Sequence, residues 1–322
     1  MELKESDYKI LHYIFHNNNQ SLTKIAKALK LSRDQIDYKM KKYLEEGVIK
    51  KFFPIFNYSA FGYNCFASLF LKFEKSNSAE KFLKILEKNK NTISYGKCSA
   101  KYDLWMNTIF KNEKELSDFI SNLMSNPETP LSEYLILKPY FSELFPMKFA
   151  HSYNPESSYL ILGKEQISPR KFDNKEIEIM KMLAKNSWET ITNIASKIKS
   201  SPELTLYKIR KLEKDGIILG TRTQFDMQKL GYFATIVLIN IPNLSETNKN
   251  KLKKFAKESK HVDSFSLFLS KPNCFIQIFH KKEIELRKTL EELTELFKNE
   301  RIEIEMFPIE QELGELDTLP FL

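Results

Sequence analysis

The chain contains two copies of one module. When the 322-residue sequence is shifted on itself by about 169 positions, residues 7–63 align with residues 176–232 without a gap, and about fifteen of the roughly 57 pairs are identical. The identical pairs include residues that set local backbone geometry: Ser32 and Ser201, Gly47 and Gly216, and Gly62–Tyr63 and Gly231–Tyr232. Any fold for this chain therefore has to accommodate the same module twice.

After each aligned segment, the hydrophobic pattern predicts the order strand, helix, strand, strand, helix, strand. Strands are predicted at Cys65–Phe73, Thr92–Ser99 and Leu104–Phe110 in the first copy, and at Phe233–Ile241, Val262–Leu269 and Cys274–Phe279 in the second. This order is that of the ferredoxin-like βαββαβ sandwich, in which two helices cover one face of an antiparallel sheet. We therefore expect an α+β fold whose two sheets each have a second face that must also be covered.

The aligned segment itself has the pattern of three short helices. Ser32, followed three residues later by Gln35, predicts a capping box at the start of the third helix, and Gly47 predicts its end. Ser201, Pro202 and Gly216 mark the same helix in the second copy. Ala26 and Ala195 allow the second helix to cross a neighbour closely. Each copy is therefore predicted to begin with a winged helix-turn-helix.

The outward face of the third helix is a candidate DNA-binding surface. At about 100 degrees per residue, Tyr38 and Tyr207 point away from the apolar stripes, which are Ile36, Met40, Tyr43 and Leu44 in the first copy and Thr205, Ile209 and Leu212 in the second. A net charge of +8 favours a polyanionic partner, here double-stranded DNA. The predicted DNA contacts are Ser32, Arg33, Asp34, Tyr38, Lys41, Lys42, Lys50, Lys51, Ser201, Glu203, Tyr207, Arg210, Lys211 and Arg222.

These patterns divide the chain into five segments. The predicted boundaries are residues 1–50 for the first helix-turn-helix, 51–145 for the first ferredoxin-like domain, 146–171 for a linker, 172–219 for the second helix-turn-helix and 220–322 for the second ferredoxin-like domain. Pro155, Gly163 and Pro169 lie in the linker, which also carries one short strand-like run at Tyr159–Leu162. No function is assigned to the acidic C-terminal stretch.

Composition excludes several classes of protein. No apolar run approaches the roughly 18 residues of a membrane span, and the first residues lack a signal-peptide core, which predicts a cytoplasmic protein without a membrane partner. Cys65, Cys98 and Cys274 are scattered and odd in number, so they predict neither a disulfide framework nor a Cys-x-x-Cys metal site. No metal and no cofactor are predicted.

Five short stretches, which follow one another in a characteristic order and spacing, carry a family resemblance: Asp7–Leu11, Ile25–Ala26, Leu31–Ser32, Leu44–Lys50 and Phe61–Tyr63. Together they resemble the Lrp/AsnC (leucine-responsive, feast/famine) transcription regulators. The resemblance implies a helix-turn-helix, a connecting strand and a ferredoxin-like ligand-sensing domain, and it covers nearly the whole chain twice. Family members usually have one such unit per chain and pair through their sensing sheets. The tandem chain therefore looks like a covalently joined dimer, with further self-association left open.

The sequence departs from the family pattern at two places. Family members often carry Gly-x-Tyr-Asp near the amino-acid effector site. Here the first copy reads Ala100-Lys101-Tyr102-Asp103 and the second Ser270-Lys271-Pro272-Asn273. The resemblance therefore implies an asymmetric effector site with Ala100, Tyr102 and Asp103 as its members. Tyr38 and Tyr207 stand where the family commonly has arginine, so the family's DNA sequence preference is not carried over.

Two alternative functions stay open at this point. The related sirohaem decarboxylases use the same fold as paired or fused units, and they resemble this chain in total length. They require a histidine on the second strand of the ferredoxin-like unit, where residues 92–96 and 262–265 have none, and His261 has no counterpart in the first copy. The other alternative is an interaction module that kept the architecture without binding DNA. The favoured hypothesis is a DNA-binding transcription regulator that is not an enzyme.

Overall fold

The structure is a computed structural model that describes residues 3–17, 20–75, 78–86, 89–145, 148, 158–163, 167–313 and 319–322. Among the described residues, no helix is long and apolar enough to cross a membrane. The two copies have the same succession of elements, as the internal repeat predicts.

Each copy begins with three helices. These are α1 (Glu5–Asn17), α2 (Leu22–Leu29) and α3 (Arg33–Glu45) in the first copy, and α6 (Asn174–Lys185), α7 (Ile191–Lys197) and α8 (Pro202–Lys214) in the second. Ser32 and Gln35 form the predicted capping box, and Pro202 is the first residue of α8. Ala26 and Ala195 are buried where the helices cross. Leu44 was predicted to face inward, but it is 39 % exposed because the buried side of α3 is already filled by Ile36, Met40 and Tyr43.

Each helix-turn-helix unit is followed by a ferredoxin-like unit. In the first copy its elements are β2 (Cys65–Phe73), α4 (Ser78–Leu86), β3 (Thr92–Cys98), β4 (Leu104–Phe110), α5 (Glu113–Met124) and β5 (Leu131–Leu137). In the second copy they are β9 (Phe233–Asn240), α9 (Glu246–Glu258), β10 (Val262–Phe268), β11 (Cys274–His280), α10 (Glu283–Leu296) and β12 (Glu303–Leu313). The strand orders are β5-β2-β4-β3 and β12-β9-β11-β10. Both are the antiparallel order of the predicted sandwich.

The last strand of each ferredoxin-like unit continues into the other unit. The first part of β12 pairs with β9, and its residues from Ile309 onward pair with β3 of the first copy. In the same way, β5 is followed after Lys138 by β6 (Pro139–Leu144), which pairs with β10 of the second copy, and β7 (Tyr159–Leu162) pairs with β6. Since β5 and β6 lie near opposite ends of the strand order but are consecutive in the chain, the sheet curls back on itself. The two units are thereby joined edge to edge.

The inner faces of the two units also meet. The rings of Trp105 on β4 and Phe275 on β11 stack with their centroids 6.5 Å apart, and Phe70 and Phe307 lie 5.5 Å apart. These residues belong to one core of buried side chains that includes residues of both copies. Each unit thus covers the sheet face of the other that its own helices leave open.

The connecting strands form a separate sheet. β1 (Ile49–Phe56) and β8 (Ile218–Phe225) pair antiparallel with each other and with no other described strand. The predicted boundaries placed residues 51–56 and 220–225 in the ferredoxin-like domains, and this assignment is corrected by the pairing. Because one strand comes from each copy, this two-stranded sheet belongs equally to both.

The helix-turn-helix units pack across the copies. The ring of Phe15 on α1 stacks on Phe225 of β8 at 5.9 Å, and Thr223 donates a hydrogen bond to the carbonyl of Ile14. The core of the second unit, which includes Ile179 and Leu212, contains Phe56 from β1. Each helix-turn-helix unit is therefore held partly by the connecting strand of the other copy, and the two copies form one folded body.

Candidate nucleic-acid interface

One tyrosine stands on the exposed face of each recognition helix. Tyr38 on α3 is 63 % exposed and Tyr207 on α8 is 61 % exposed, while the opposite faces of both helices are buried. The structure therefore places both tyrosines on the faces that the helical periodicity predicts.

The N-termini of the recognition helices are fixed by their caps. The hydroxyl oxygen of Ser32 accepts a hydrogen bond from the backbone N–H of Gln35 at 3.1 Å, and that of Ser201 accepts one from Leu204 at 3.2 Å. Ser32 and Ser201 therefore act first as structural caps. Behind them, Arg33, Asp34 and Glu203 are exposed on the first turn.

On α3, the predicted DNA-binding lysines already have acidic partners. Lys41 donates to Asp37 at 2.7 Å, and this hydrogen bond with the Asp37 charge raises the pKa of Lys41. Lys42 lies 3.8 Å from Glu46. A phosphate would have to compete with these carboxylates for both ammonium groups.

The equivalent cations on α8 are less engaged. Arg210 and Lys211 are both exposed, and the described part of the chain forms no ion pair with either of them. Leu206 occupies the position of Asp37, so the carboxylate that holds Lys41 has no equivalent beside Arg210. The two recognition helices consequently present different electrostatic surfaces, with the more positive face on α8.

The predicted DNA contacts that lie outside the recognition helices differ in how exposed they are. Lys50 is exposed and lies 3.8 Å from Asp226, and Lys51 is half-buried at the start of β1. Arg222 is only 7 % exposed, and its guanidinium donates to Asp263 at 3.1 Å and to the carbonyl of Phe145 at 3.2 Å. The prediction that Arg222 contacts DNA is therefore wrong, because β8 turns this side chain into the protein interior.

The predicted effector residues lie at the β3–β4 hairpin, where they have structural roles. Ala100 has φ +95°, a left-handed conformation that glycine adopts more readily. Tyr102 is 2 % exposed and donates to Glu133 at 3.3 Å, while the Asp103 carboxylate accepts the backbone N–H of Phe73 at 2.8 Å. The Tyr102 ring is buried between Phe70 of the first copy and Phe307 of the second, so it is not presented on the surface of the hairpin, and its contact with an effector stays a prediction.

Two residues near the recognition helices were missed from the sequence. Leu204 is 42 % exposed on the first turn of α8, and an apolar residue off the buried stripe is the signal that could have identified it. Lys229 of the second copy donates to the carbonyl of Glu46 at the end of α3 over 2.7 Å. No local pattern predicts this contact, because the two residues are far apart in the chain.

Comparisons with known proteins agree with this arrangement. The family model for winged helix-turn-helix DNA-binding domains matches residues 3–50. An HTH-type transcriptional regulator of Pyrococcus horikoshii is 30% identical over 128 residues, which are 38% of this chain and 78% of that protein. The HTH-type transcriptional regulator FL11 of Pyrococcus furiosus is 29% identical over 118 residues, 37% of this chain and 78% of that protein. Each relative thus corresponds to roughly one of the two copies.

A solved structure resembles the chain over its whole length. The sirohaem decarboxylase NirDL in complex with an iron-uroporphyrin III analogue has a TM-score of 0.63 with 14% sequence identity, and the similarity covers 99% of this chain and 95% of that one. At this identity the similarity concerns the fold alone, which is the fused pair of units described above. The sequence relatives, in contrast, are transcription regulators. The chain belongs to the Lrp/AsnC family of HTH-type transcription regulators, as a tandem duplication of the family's unit.

Proposed function

We propose that this regulator binds double-stranded DNA with both recognition helices of a single chain, which acts as a covalent pseudo-dimer. The observation that carries the proposal is the pair of exposed tyrosine faces, Tyr38 on α3 and Tyr207 on α8, each with cations beside it. A major groove about 12 Å wide admits such a helix. Tyrosine then packs on a thymine methyl or hydrogen-bonds a phosphate, while lysine and arginine reach phosphates and guanine edges.

The crossed packing of the two copies supports simultaneous engagement. Both helix-turn-helix units are attached to the β1–β8 sheet, so their separation is set by one rigid element rather than by a loose linker. We expect the two helices to address successive major grooves, about 34 to 36 Å apart or a multiple of this distance. Binding of the second helix is then intramolecular, which raises the overall affinity by about 10² to 10⁴ over one unit.

The two helices are expected to contribute differently. Among the described residues Arg210 and Lys211 form no ion pair, although the charge of Arg210 acts on the Glu213 carboxyl one turn away, so they are the main phosphate contacts of the pair. On α3, Lys41 is held by Asp37, so this helix contributes more to base recognition through Tyr38 and less to overall affinity. The preferred site is therefore two unlike half-sites rather than a palindrome.

Selection from random duplexes followed by fluorescence anisotropy tests this function. We expect enrichment of one asymmetric sequence, bound more tightly than random DNA, with an affinity that falls steeply as salt increases. The double variant Tyr38→Ala/Tyr207→Ala should lose the preference for the selected sequence while it keeps its thermal stability, because both side chains are exposed. Equal binding of selected and random DNA by the wild-type chain would contradict sequence-specific binding.

The whole-chain fold similarity to NirDL favours a decarboxylase as the second candidate. The residues of this chain argue against a decarboxylase. Residues 92–96 and 262–265 hold no histidine, and the ring of His261 is hydrogen-bonded to the carbonyl of Phe279 at 2.9 Å. An absorbance titration with iron-uroporphyrin III discriminates the two candidates. We expect no stoichiometric shift of the tetrapyrrole band, whereas a saturable shift together with absent DNA binding would favour the enzyme.

A further inference from the structure

A cavity of about 280 Å³ lies where the inner faces of the two ferredoxin-like units meet the connecting strands. Trp105 and Phe275, which stack on each other, belong to its wall, and Phe53 of β1 and Gln224 of β8 close another side. The proposed DNA contacts do not use this cavity. It is built from both copies and is therefore a property of the fused chain.

The centre of the cavity wall is polar, although the inner faces of packed sheets are normally apolar. In the first copy, Ser68 donates to the Asn107 carbonyl at 2.6 Å, and the Asn107 amide donates to Ser94 at 3.2 Å. In the second copy, Ser264 donates to the Gln277 carbonyl at 3.3 Å. The same types of residue stand at equivalent positions, since Ser94 and Ser264 lie on the second strand and Asn107 and Gln277 on the third. A serine–amide pair is thus present on both sides of the cavity.

Two polar groups of the wall have no hydrogen-bond partner among the described residues. They are the indole N–H of Trp105, whose side chain is 94 % buried, and the amide oxygen of Gln224. A buried donor or acceptor without a partner is unfavourable, and native proteins have few of them. One donor and one acceptor are therefore available in the wall for a molecule that carries the complementary groups.

The cavity also has a charged end and an apolar end. Arg222 and Asp263 form a buried ion pair at one end, and their equivalents in the first copy are Phe53 and Ile93. These two are the only charged residues of the described wall, so its formal charge is zero. Because Asp263 already neutralises Arg222, an anionic ligand would find no unpaired cation there.

From this wall we infer that the cavity binds a small uncharged aromatic molecule that carries an amide-like edge, such as a carboxamide or a lactam. The ring lies against the Phe275 side of the wall, and the donor–acceptor edge faces the two groups without partners, the Trp105 indole N–H and the Gln224 amide oxygen. A hydrocarbon would leave these polar groups unmatched, and a carboxylate would be buried without a free cation. This inference goes beyond DNA binding and does not depend on it.

The experiment uses Trp105 as the reporter. The chain has two tryptophans, so Trp188→Phe leaves Trp105 in the cavity wall as the only indole. Benzamide, benzoate and toluene are titrated while the emission of Trp105 is followed. These probes share one ring and differ in the group attached to it. We expect a saturable change with benzamide, with a Kd at least tenfold lower than the values for benzoate and toluene.

Variants of the polar wall test the specificity. Gln224→Leu should weaken benzamide binding at least tenfold because it removes the free acceptor, and Asn250→Leu, the same type of change on the exposed face of α9, should leave it unchanged. If this variant fails to fold, Gln224→Met replaces it with the same expected loss, since methionine keeps the length of the side chain and lacks the amide oxygen. The absence of a response to benzamide would overturn the inference, and so would binding of benzoate or toluene with the same affinity as benzamide.

Discussion

The ammonium of Lys229 donates a hydrogen bond to the backbone carbonyl of Glu46 over 2.7 Å, so a residue of the second copy closes the recognition helix of the first. Nearby, Asp226 of the second copy pairs with Lys50 of the first. On the other side of the molecule, Asn57 of the first copy donates its backbone N–H to Ile217, just beyond α8. The position of each recognition helix is therefore partly determined by the other copy.

Replacing Lys229 tests this coupling. A cation near a helix C-terminus stabilises the helix by about 0.3 to 1 kcal/mol. Removal of the Lys229 ammonium also leaves the Glu46 carbonyl without its side-chain donor. We expect Lys229→Ala to lower the free energy of unfolding by about 1 kcal/mol, and to weaken DNA binding by a small factor through α3. Urea denaturation measures the first effect and anisotropy the second. Lys254→Ala, an exposed lysine on α9, is the control; equal effects of the two changes would refute the coupling.

The unequal charge of the recognition helices predicts unequal salt dependence. Arg210→Ala should reduce the slope of log K against log salt by about 1, because a phosphate contact is lost. Lys41→Ala should change the slope less, since Asp37 already holds that ammonium at 2.7 Å. Anisotropy on one duplex at several salt concentrations gives both slopes. A larger change for Lys41→Ala than for Arg210→Ala would show that α3 is the main phosphate-binding helix.

Asp7 should make the first helix-turn-helix unit sensitive to acid. Burial raises the pKa of Asp7, but hydrogen bonds from Lys39, from the Tyr43 hydroxyl at 2.6 Å and from the Lys4 N–H outweigh it, and the net pKa lies below the usual value. A carboxyl with a lowered pKa in the folded state stabilises the protein above its unfolded-state pKa of about 3.9. This contribution is lost as the pH falls through the lowered value.

Asp7→Asn should therefore cost stability at neutral pH, by about 1 to 3 kcal/mol for the polar groups left without their partner. The difference from the wild type should shrink as the pH falls below about 4. Urea denaturation over this pH range measures the difference in the free energy of unfolding between the wild type and Asp7→Asn. Asp34→Asn is the control because Asp34 is exposed on the same unit. A difference that stays constant with pH would exclude Asp7 as the titrating group.

The Arg222–Asp263 pair predicts a strong effect that depends on both partners. Arg222→Phe leaves Asp263 buried without its cation, which should cost about 3 to 5 kcal/mol near neutral pH. Burial raises the pKa of Asp263 while Arg222 lowers it, so the loss should be smaller in acid, where the carboxyl is protonated in both states.

The double variant Arg222→Phe/Asp263→Ile places the first copy's Phe53 and Ile93 residue types in the second copy. We expect it to recover most of the stability, because replacing a buried ion pair by apolar residues is often neutral. Thermal and urea denaturation of the two single variants and the double variant measure the coupling. Additive losses would mean that the two side chains do not act as a pair.

The C-terminal residues should stabilise the second helix-turn-helix unit. The ring of Phe321 stacks on Tyr63 with centroids 3.8 Å apart, and Leu319 is buried in the core that holds α6 and α8. Full burial of a phenylalanine contributes about 1.5 to 3 kcal/mol, and Phe321 is half-buried, so Phe321→Ala should cost about 1 to 2 kcal/mol. Phe321→Leu should recover part of this loss. Unchanged stability in urea denaturation would show that the C-terminus does not contribute to this core.

The local elements follow from the sequence because their causes are local. The capping box of Ser32 and Gln35 and the proline at the start of α8 involve residues within one turn, and both are present. The predicted strands Cys65–Phe73 and Leu104–Phe110 have the same bounds in the structure. Helical periodicity also placed Tyr38 and Tyr207 outward, since the buried stripe leaves only the opposite face for them.

What the sequence alone determined is the module, its duplication and the faces of its helices. Only the tertiary structure decided how the two copies share their elements: β1 pairs with β8, each last strand continues into the other unit, and Arg222 turns inward to Asp263 while its counterpart is Phe53. These contacts join residues separated by most of a copy, and no periodicity records such pairings. The burial of Arg222 and the polar centre of the cavity depend on what the other copy places opposite them.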